Sequence, residues 1–197
     1  MKQLIIGLTG GIGSGKSVIA KIFIAKGIPV FDSDSAAKNA YYDIGIRQKV
    51  IELLGKDSYL SNGDLNKKNI SQKIFDDKNL LSCLNSIIHP FVGIQFKKWQ
   101  TKHFDSSILV KETALLFETG IAEKVNKKIL VTAPLEIRIS RVMKRDKLER
   151  NEVIRKISNQ WDDELKIPLS DFVINNDGKE LILPKVLDWI GTITDIT

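Results

Sequence analysis

The chain has 197 residues, 43% of them hydrophobic and 27% charged, with a formal net charge of +6. That length suits one substantial globular domain with room for a small inserted lobe, and a single cysteine excludes a disulfide framework within the chain. The apolar run LIIGL is too short for a signal-peptide core and no later run approaches membrane-spanning length, so a cytoplasmic protein is expected.

In chain order, QLIIGLT reads as a buried strand, GKSVIAKIFIAK as a helix closed by Gly27, and IPVF as a second short strand. Continuous apolar runs mark strands buried on both faces, which assigns SILV near Ser107, KILVTA near Lys128 and DFVIN near Asp171. The stretch from about 35 to 103 reads as helices. Within it, apolar residues recur at helical spacing through Leu81, Leu84, Ile88, Val92 and Phe96, Cys83 is expected to pack with them, and Pro90 should kink or interrupt the helix. YLSNGDLN is expected to be a surface loop, and a last helix runs from Lys179 to about Ile193. The fold class is therefore α/β, a doubly wound five-stranded parallel sheet with a helical insertion.

The segment 138–156, RISRVMKRDKLERNEVIRK, is the densest positive stretch, with eight Lys/Arg against three Asp/Glu. A polyanionic small substrate, nucleic acid or a solvated surface would each account for it.

Near the start, GGIGSGKS from Gly10 to Ser17 fits G-x-x-x-x-G-K-[ST] and lies where a strand turns into a helix. Glycines such as Gly11, Gly13 and Gly15 let backbone amides approach an anion, and the helix N-terminus at Ser14 to Val18 adds a positive dipole. Lys16 supplies a point charge for β- and γ-phosphates, and Ser17 a hydroxyl for Mg²⁺. The loop is built for a nucleoside triphosphate. A regulatory GTPase is disfavoured, because NKKN at Asn66 and NKKI at Asn126 lack the aspartate of N-K-x-D. The second strand instead ends in VFDSDSAAK, placing Asp32 and Asp34 at the carboxyl edge of the sheet, where open α/β sheets bind ligands. Such carboxylates can hold Mg²⁺ or accept a proton; capping of the following helix is the plain structural alternative.

GLTGGIGSGKS, VFDSDSAAK, IIHP, LLFE, RVMKRD, a glutamine and DFVINNDG follow one another in an order and spacing that resembles the dephospho-coenzyme A kinase family over nearly the whole chain. The resemblance implies one P-loop NTPase-type kinase domain over 1–197, with an acceptor-binding helical lobe at about 35–103 and a lid at about 138–166. It implies phosphorylation of the ribose 3′-hydroxyl of dephospho-coenzyme A by ATP with Mg²⁺, the last step of coenzyme A synthesis. Asp34 matches the base, with Lys16 and Arg141 completing the catalytic set. Asp32 would support Mg²⁺ or substrate. His89, Leu116, Phe117, Glu118 and Arg145 would meet the acceptor, Asn176 would lie near the adenine, and Arg155 is a weaker phosphate contact. Core packing is the plain alternative for His89, Leu116 and Phe117, a solvated helix face for Arg141 and Arg145, and turn formation for Asn176.

The chain departs from the family at Glu112 and Ala114 in ETALLFE, where aspartate and proline are usual, at Pro134, which is displaced, and at Asn175. Metal support is then assigned to Ser17, Asp32 and Glu112. The expected partner is dephospho-coenzyme A, with no nucleic acid or membrane, in a monomer or weak oligomer. Two alternatives stay open: a related kinase acting on a nucleoside or nucleotide, and a nucleotide-dependent regulator or RNA-binding protein without catalysis, although no aromatic-rich basic strand of the RNA-recognition type is present.

Overall fold

The computed structural model describes residues 3–75 and 77–194, so residues 1–2, 76 and 195–197 of the expected 1–197 domain lie outside the described residues. Fourteen elements follow in order: β1 (Leu4–Thr9), α1 (Lys16–Ala25), β2 (Val30–Asp32), α2 (Ser33–Ala40), α3 (Ile44–Leu54), α4 (Lys67–Phe75), α5 (Lys78–Lys102), β3 (Ile108–Glu112), β4 (Lys127–Thr132), α6 (Leu135–Asp146), α7 (Arg150–Ile157), α8 (Asp163–Lys166), β5 (Phe172–Asn175) and α9 (Ile182–Thr194). The five strands form one all-parallel sheet in the order β2-β3-β1-β4-β5. Two compact units result, one from the strands with residues 103–197 and the first 32, the other from Ser33–Lys102.

In the sheet unit the strands are apolar because helices cover them. Ile6, Leu8, Ile108, Val110, Ile129, Val131 and Ile174 pack with Ile19 and Phe23 of α1 and Val186, Ile190 and Ile193 of α9. The register levels the carboxyl ends of three strands: Leu8 of β1 pairs with Glu112 of β3, and Asp32 of β2 pairs with the same Glu112. The second strand starts at Val30, two residues later than its sequence suggests, because the Ile28 amide still closes α1 by donating to Phe23 O at 3.0 Å.

The helical unit is built on α5, whose buried face is Leu84, Ile88, Val92 and Phe96. Pro90 does not end this helix: α5 runs unbroken through it, since a proline removes one donor and leaves the rest of the ladder intact. Cys83 is exposed, not packed, because one residue is 100° of helix and turns it off the face that Leu84 occupies. Leu81, also expected inside, is 38% exposed in the first turn. Asp43 caps α3 by accepting from the amides of Gly45 and Ile46 at 3.0 and 3.1 Å. The 59–66 segment is more ordered than a surface loop: Tyr59 bridges Leu65 antiparallel, is buried, and lies under the Arg47 guanidinium at 4.4 Å.

Candidate active site

The loop between β1 and α1 has the shape that its glycines permit. Gly13 and Gly15 adopt φ of 82° and 94°, conformations that side chains disfavour. A Cβ at Gly13 would strike the backbone of Arg138, and one at Gly15 the side-chain amide of Asn176. Within the loop, Ser14 N donates to Gly11 O at 3.0 Å, and Val18 N donates to Gly15 O at 2.9 Å as α1 begins. Ser14 is fully buried and its hydroxyl has no hydrogen-bond partner. Lys16 opens α1, and its ammonium lies 3.5 Å from Glu112 Oε1, both side chains about seven-eighths buried.

Distant segments close on this loop. From the end of β5, Asn176 Nδ2 donates to Ser14 O at 2.8 Å. From α6, Arg141 Nη1 reaches the carbonyls of Gly13 and Ser14 at 3.5 Å each. Arg138 is buried; its Nε donates to Ile12 O at 3.0 Å and its Nη1 reaches Asp163 Oδ2 at 3.3 Å. Gln160 Oε1 accepts from Ile12 N at 2.8 Å. Behind them, Lys166 is completely buried, its ammonium 3.1 Å from Glu118 Oε1, and that same oxygen accepts from Trp161 N at 3.1 Å. Burial pushes the Asp163 carboxyl above the usual carboxylate range against the pull of Arg138 and Lys166.

Level carboxylates at a sheet edge, a glycine loop opening a helix and converging cations are groups whose chemistry suits a polyphosphate and a divalent cation. A family profile for dephospho-CoA kinase matches residues 4–181. The chain belongs to the dephospho-CoA kinase family. It is 37% identical over 187 residues to a dephospho-CoA kinase of Bacteroides fragilis, covering 94% of this chain and 91% of that one. It is 34% identical over 194 residues to one from Fusobacterium nucleatum, covering 98% and 100%. Among solved structures, a Thermus thermophilus protein superposes with a TM-score of 0.88 at 29% identity over the full length of both chains. A dephospho-CoA kinase from Campylobacter jejuni shares the fold, with a TM-score of 0.60 at 21% identity, covering 99% and 98%.

In this dephospho-CoA kinase family member, the sheet unit holds Gly11, Gly13, Ser14, Gly15, Lys16, Ser17, Val18, Asp32, Glu112, Arg141 and Asn176. Asp34 stands in the first turn of α2, the second residue of a helix that starts at Ser33 and not at Ser35. His89 is exposed on α5 beside the buried Ile88, and partial desolvation holds its imidazole below the usual range. Leu116 is fully buried against Gly7, Phe117 is buried, and Glu118 is joined to Lys166 and Trp161. Arg145 is exposed and paired with the neighbouring Asp146 at 2.7 Å. Arg155 is exposed as well, its Nε on Asn151 O at 3.3 Å. Pro134 occupies the position before α6, where its carbonyl accepts from Arg138 N at 3.0 Å. Asn175 Nδ2 donates to Asp177 Oδ2 at 3.3 Å in the turn after β5.

Sequence reasoning assigned no role to Arg138, Gln160, Asp163 or Lys166. The only signals available were the glutamine that precedes Trp161 in the family-like order and an arginine one turn before Arg141.

The donor chemistry fits both small groups that such a kinase uses. Amides and cations around a left-handed glycine pair suit a triphosphate. Asp32, Glu112 and the Ser17 hydroxyl offer hard oxygen ligands of the kind Mg²⁺ takes, with Asp32 and Glu112 in strand register and Ser17 in the first turn of α1. Among the described residues no helix is long and apolar enough to cross a membrane.

Proposed function

We propose that this kinase transfers the γ-phosphoryl group of ATP to the ribose 3′-hydroxyl of dephospho-coenzyme A, giving coenzyme A and ADP, with Asp34 as the base. The observation that carries this reading is the glycine loop at the carboxyl edge of β1, with Lys16 beside Glu112, in a chain matched by the family over residues 4–181.

Phosphoryl transfer asks little covalent chemistry of a protein, because charge spreads over the transferring oxygens and the enzyme positions and neutralises. The loop amides and Lys16 bind the β- and γ-phosphates. Arg141, which already touches the loop carbonyls of Gly13 and Ser14, needs only a side-chain rotation to turn its planar donors to phosphate oxygens. Asp34 accepts the proton of the attacking hydroxyl and orients it. Mg²⁺, when bound, screens the phosphate charge, and Ser17, Asp32 and Glu112 would hold it, Glu112 reaching further than an aspartate and through water. Asn176 borders the nucleotide from the end of β5. His89 contributes shape to the acceptor side, and Phe117 contributes apolar surface. Arg145 reaches phosphate only by leaving Asp146, and Glu118 acts through the loop's supports and not on the acceptor. The protein works in the cytoplasm as a monomer or weak oligomer.

A coupled ADP-release assay with Mg²⁺ and ATP, comparing dephospho-coenzyme A, adenosine, AMP and no acceptor, tests the reading. Turnover with dephospho-coenzyme A alone is expected. Turnover with AMP or adenosine in its place would overturn the acceptor, and no turnover with any of them would overturn catalysis in favour of a nucleotide-dependent regulator.

A further inference from the structure

We propose that Gln160 and Arg138 are positioning residues that hold the phosphate loop in its binding shape through Ile12, and that the buried Lys166–Glu118 pair anchors the segment that carries Gln160. The inference rests on the reading of that loop as the ATP-phosphate site.

Ile12 sits between Gly11 and Gly13, the most freely rotating neighbours a residue can have. Left alone, the peptide planes on its two sides would sample many orientations, and each must be fixed before loop amides can converge on phosphate oxygens. Both planes are fixed here by side chains remote in sequence. The amide on the Gly11 side donates to Gln160 Oε1 at 2.8 Å, and the carbonyl on the Gly13 side accepts from Arg138 Nε at 3.0 Å. The Ile12 side chain packs on Ile139, Val142 and Val153 of α6 and α7. The Ile12 amide is thus taken up by a neutral acceptor and serves loop shape.

The supports are themselves held. Arg138 is fixed through Nη1 by Asp163 at 3.3 Å. Gln160 N donates to Ile157 O at 3.0 Å, and the next amide, Trp161 N, donates to Glu118 Oε1 at 3.1 Å. Glu118 is in turn 3.1 Å from the Lys166 ammonium, which is completely buried. A charge at such a position is tolerated only beside its counter-charge, so the pair fixes where residues 160–166 lie. One carboxylate therefore binds both the residue after Gln160 and the end of α8.

Two measurements on the full chain, neither using an acceptor, test the proposal. Hydrogen exchange of the Ile12 amide reports the Gln160 bond directly, and calorimetric titration with ATP and Mg²⁺ reports the consequence. Gln160→Leu is expected to speed Ile12 exchange and to weaken ATP binding, each by about three- to tenfold, the value of one hydrogen bond. Gln160→Glu keeps an acceptor oxygen, so Ile12 exchange returns to within about twofold of the parent chain. Should Gln160→Leu not fold, Gln160→Ala carries the same expectation. Unchanged Ile12 exchange would overturn the assignment, as would faster exchange with ATP affinity unaltered. Failure of the acceptor assignment would leave both readouts intact, whereas failure of ATP to bind the parent chain would remove the reading on which the proposal rests.

Discussion

Each of the two compact units contains an ion pair 3.1 Å long, and the pairs are physically unlike. In the sheet unit, Lys166 and Glu118 are 0% and 12% exposed in their side chains; in the helical unit, Lys73 and Asp57 are 32% and 67% exposed. Water solvates the second pair whether or not it is made, so its geometry follows from α4 and the turn after α3 and determines little. The first pair has no such alternative, because separating it would leave a bare charge in the interior. Equal distance is therefore no guide to role. The sheet unit directs Arg138, Gln160 and Asn176 to one loop, whereas the helical unit presents Asp34 and His89 on helices whose stability comes from apolar packing along α5.

The contrast makes the two units fail differently. The largest effect is expected from the helical unit's Asp34: Asp34→Asn should lower kcat by about 10²- to 10⁴-fold, the range for loss of a general base, with ATP affinity nearly intact. Steady-state kinetics with a parallel ATP titration check this, and unchanged turnover would remove Asp34 from the mechanism. Next comes Lys166→Ala in the sheet unit, which strands Glu118 and should cost about 3–5 kcal/mol of stability in denaturant unfolding. Its counterpart Asp57→Ala should leave the unfolding midpoint where it was. Equal losses would dissolve the distinction between the pairs.

A somewhat smaller change is expected for Lys16→Ala, which removes one fixed cation from the phosphate site; kcat/KM for ATP should fall by about 10²- to 10³-fold, the range for loss of one electrostatic contact in a transition state. The opposite pattern from Asp34→Asn, with ATP affinity lost as well, would mark the sheet unit as the donor side. The smallest effect concerns pH. Desolvation holds the His89 imidazole below its ordinary value of 6.5, so it favours the folded state above that pH and loses this contribution as pH falls through the folded value. His89→Gln should therefore flatten the acid side of a thermal-stability profile below pH 6.5 and leave it unchanged at pH 8.

The strands and the glycine loop were legible because their signals are local and repeated: continuous apolar runs for β1, β3 and β4, and a fixed-spacing motif at Gly10 to Ser17. The helical face of α5 was legible for the same reason, and Cys83 and Leu81 were misjudged where a few residues of helical phase or a helix end decided exposure. What supports the loop was not legible. Gln160 and Ile12 are separated by 148 positions, and Lys166 in DELKIPLS looks like any solvated lysine. Only the tertiary structure, which brings Glu118 to it, makes it an interior charge. The arginines of the basic stretch divide for that reason into Arg138 and Arg141, turned to the loop, Arg145 and Arg150, paired with carboxylates at the surface, and Arg155, bonded to a carbonyl of its own helix.

The central claim is the acceptor atom, and phosphorus NMR of the product tests it most directly. The protein incubated with ATP, Mg²⁺ and dephospho-coenzyme A should yield a phosphomonoester resonance coupled to the ribose 3′ proton, growing in step with ADP. Release of ADP without that resonance, or a new phosphomonoester at another position of the acceptor, would contradict the account.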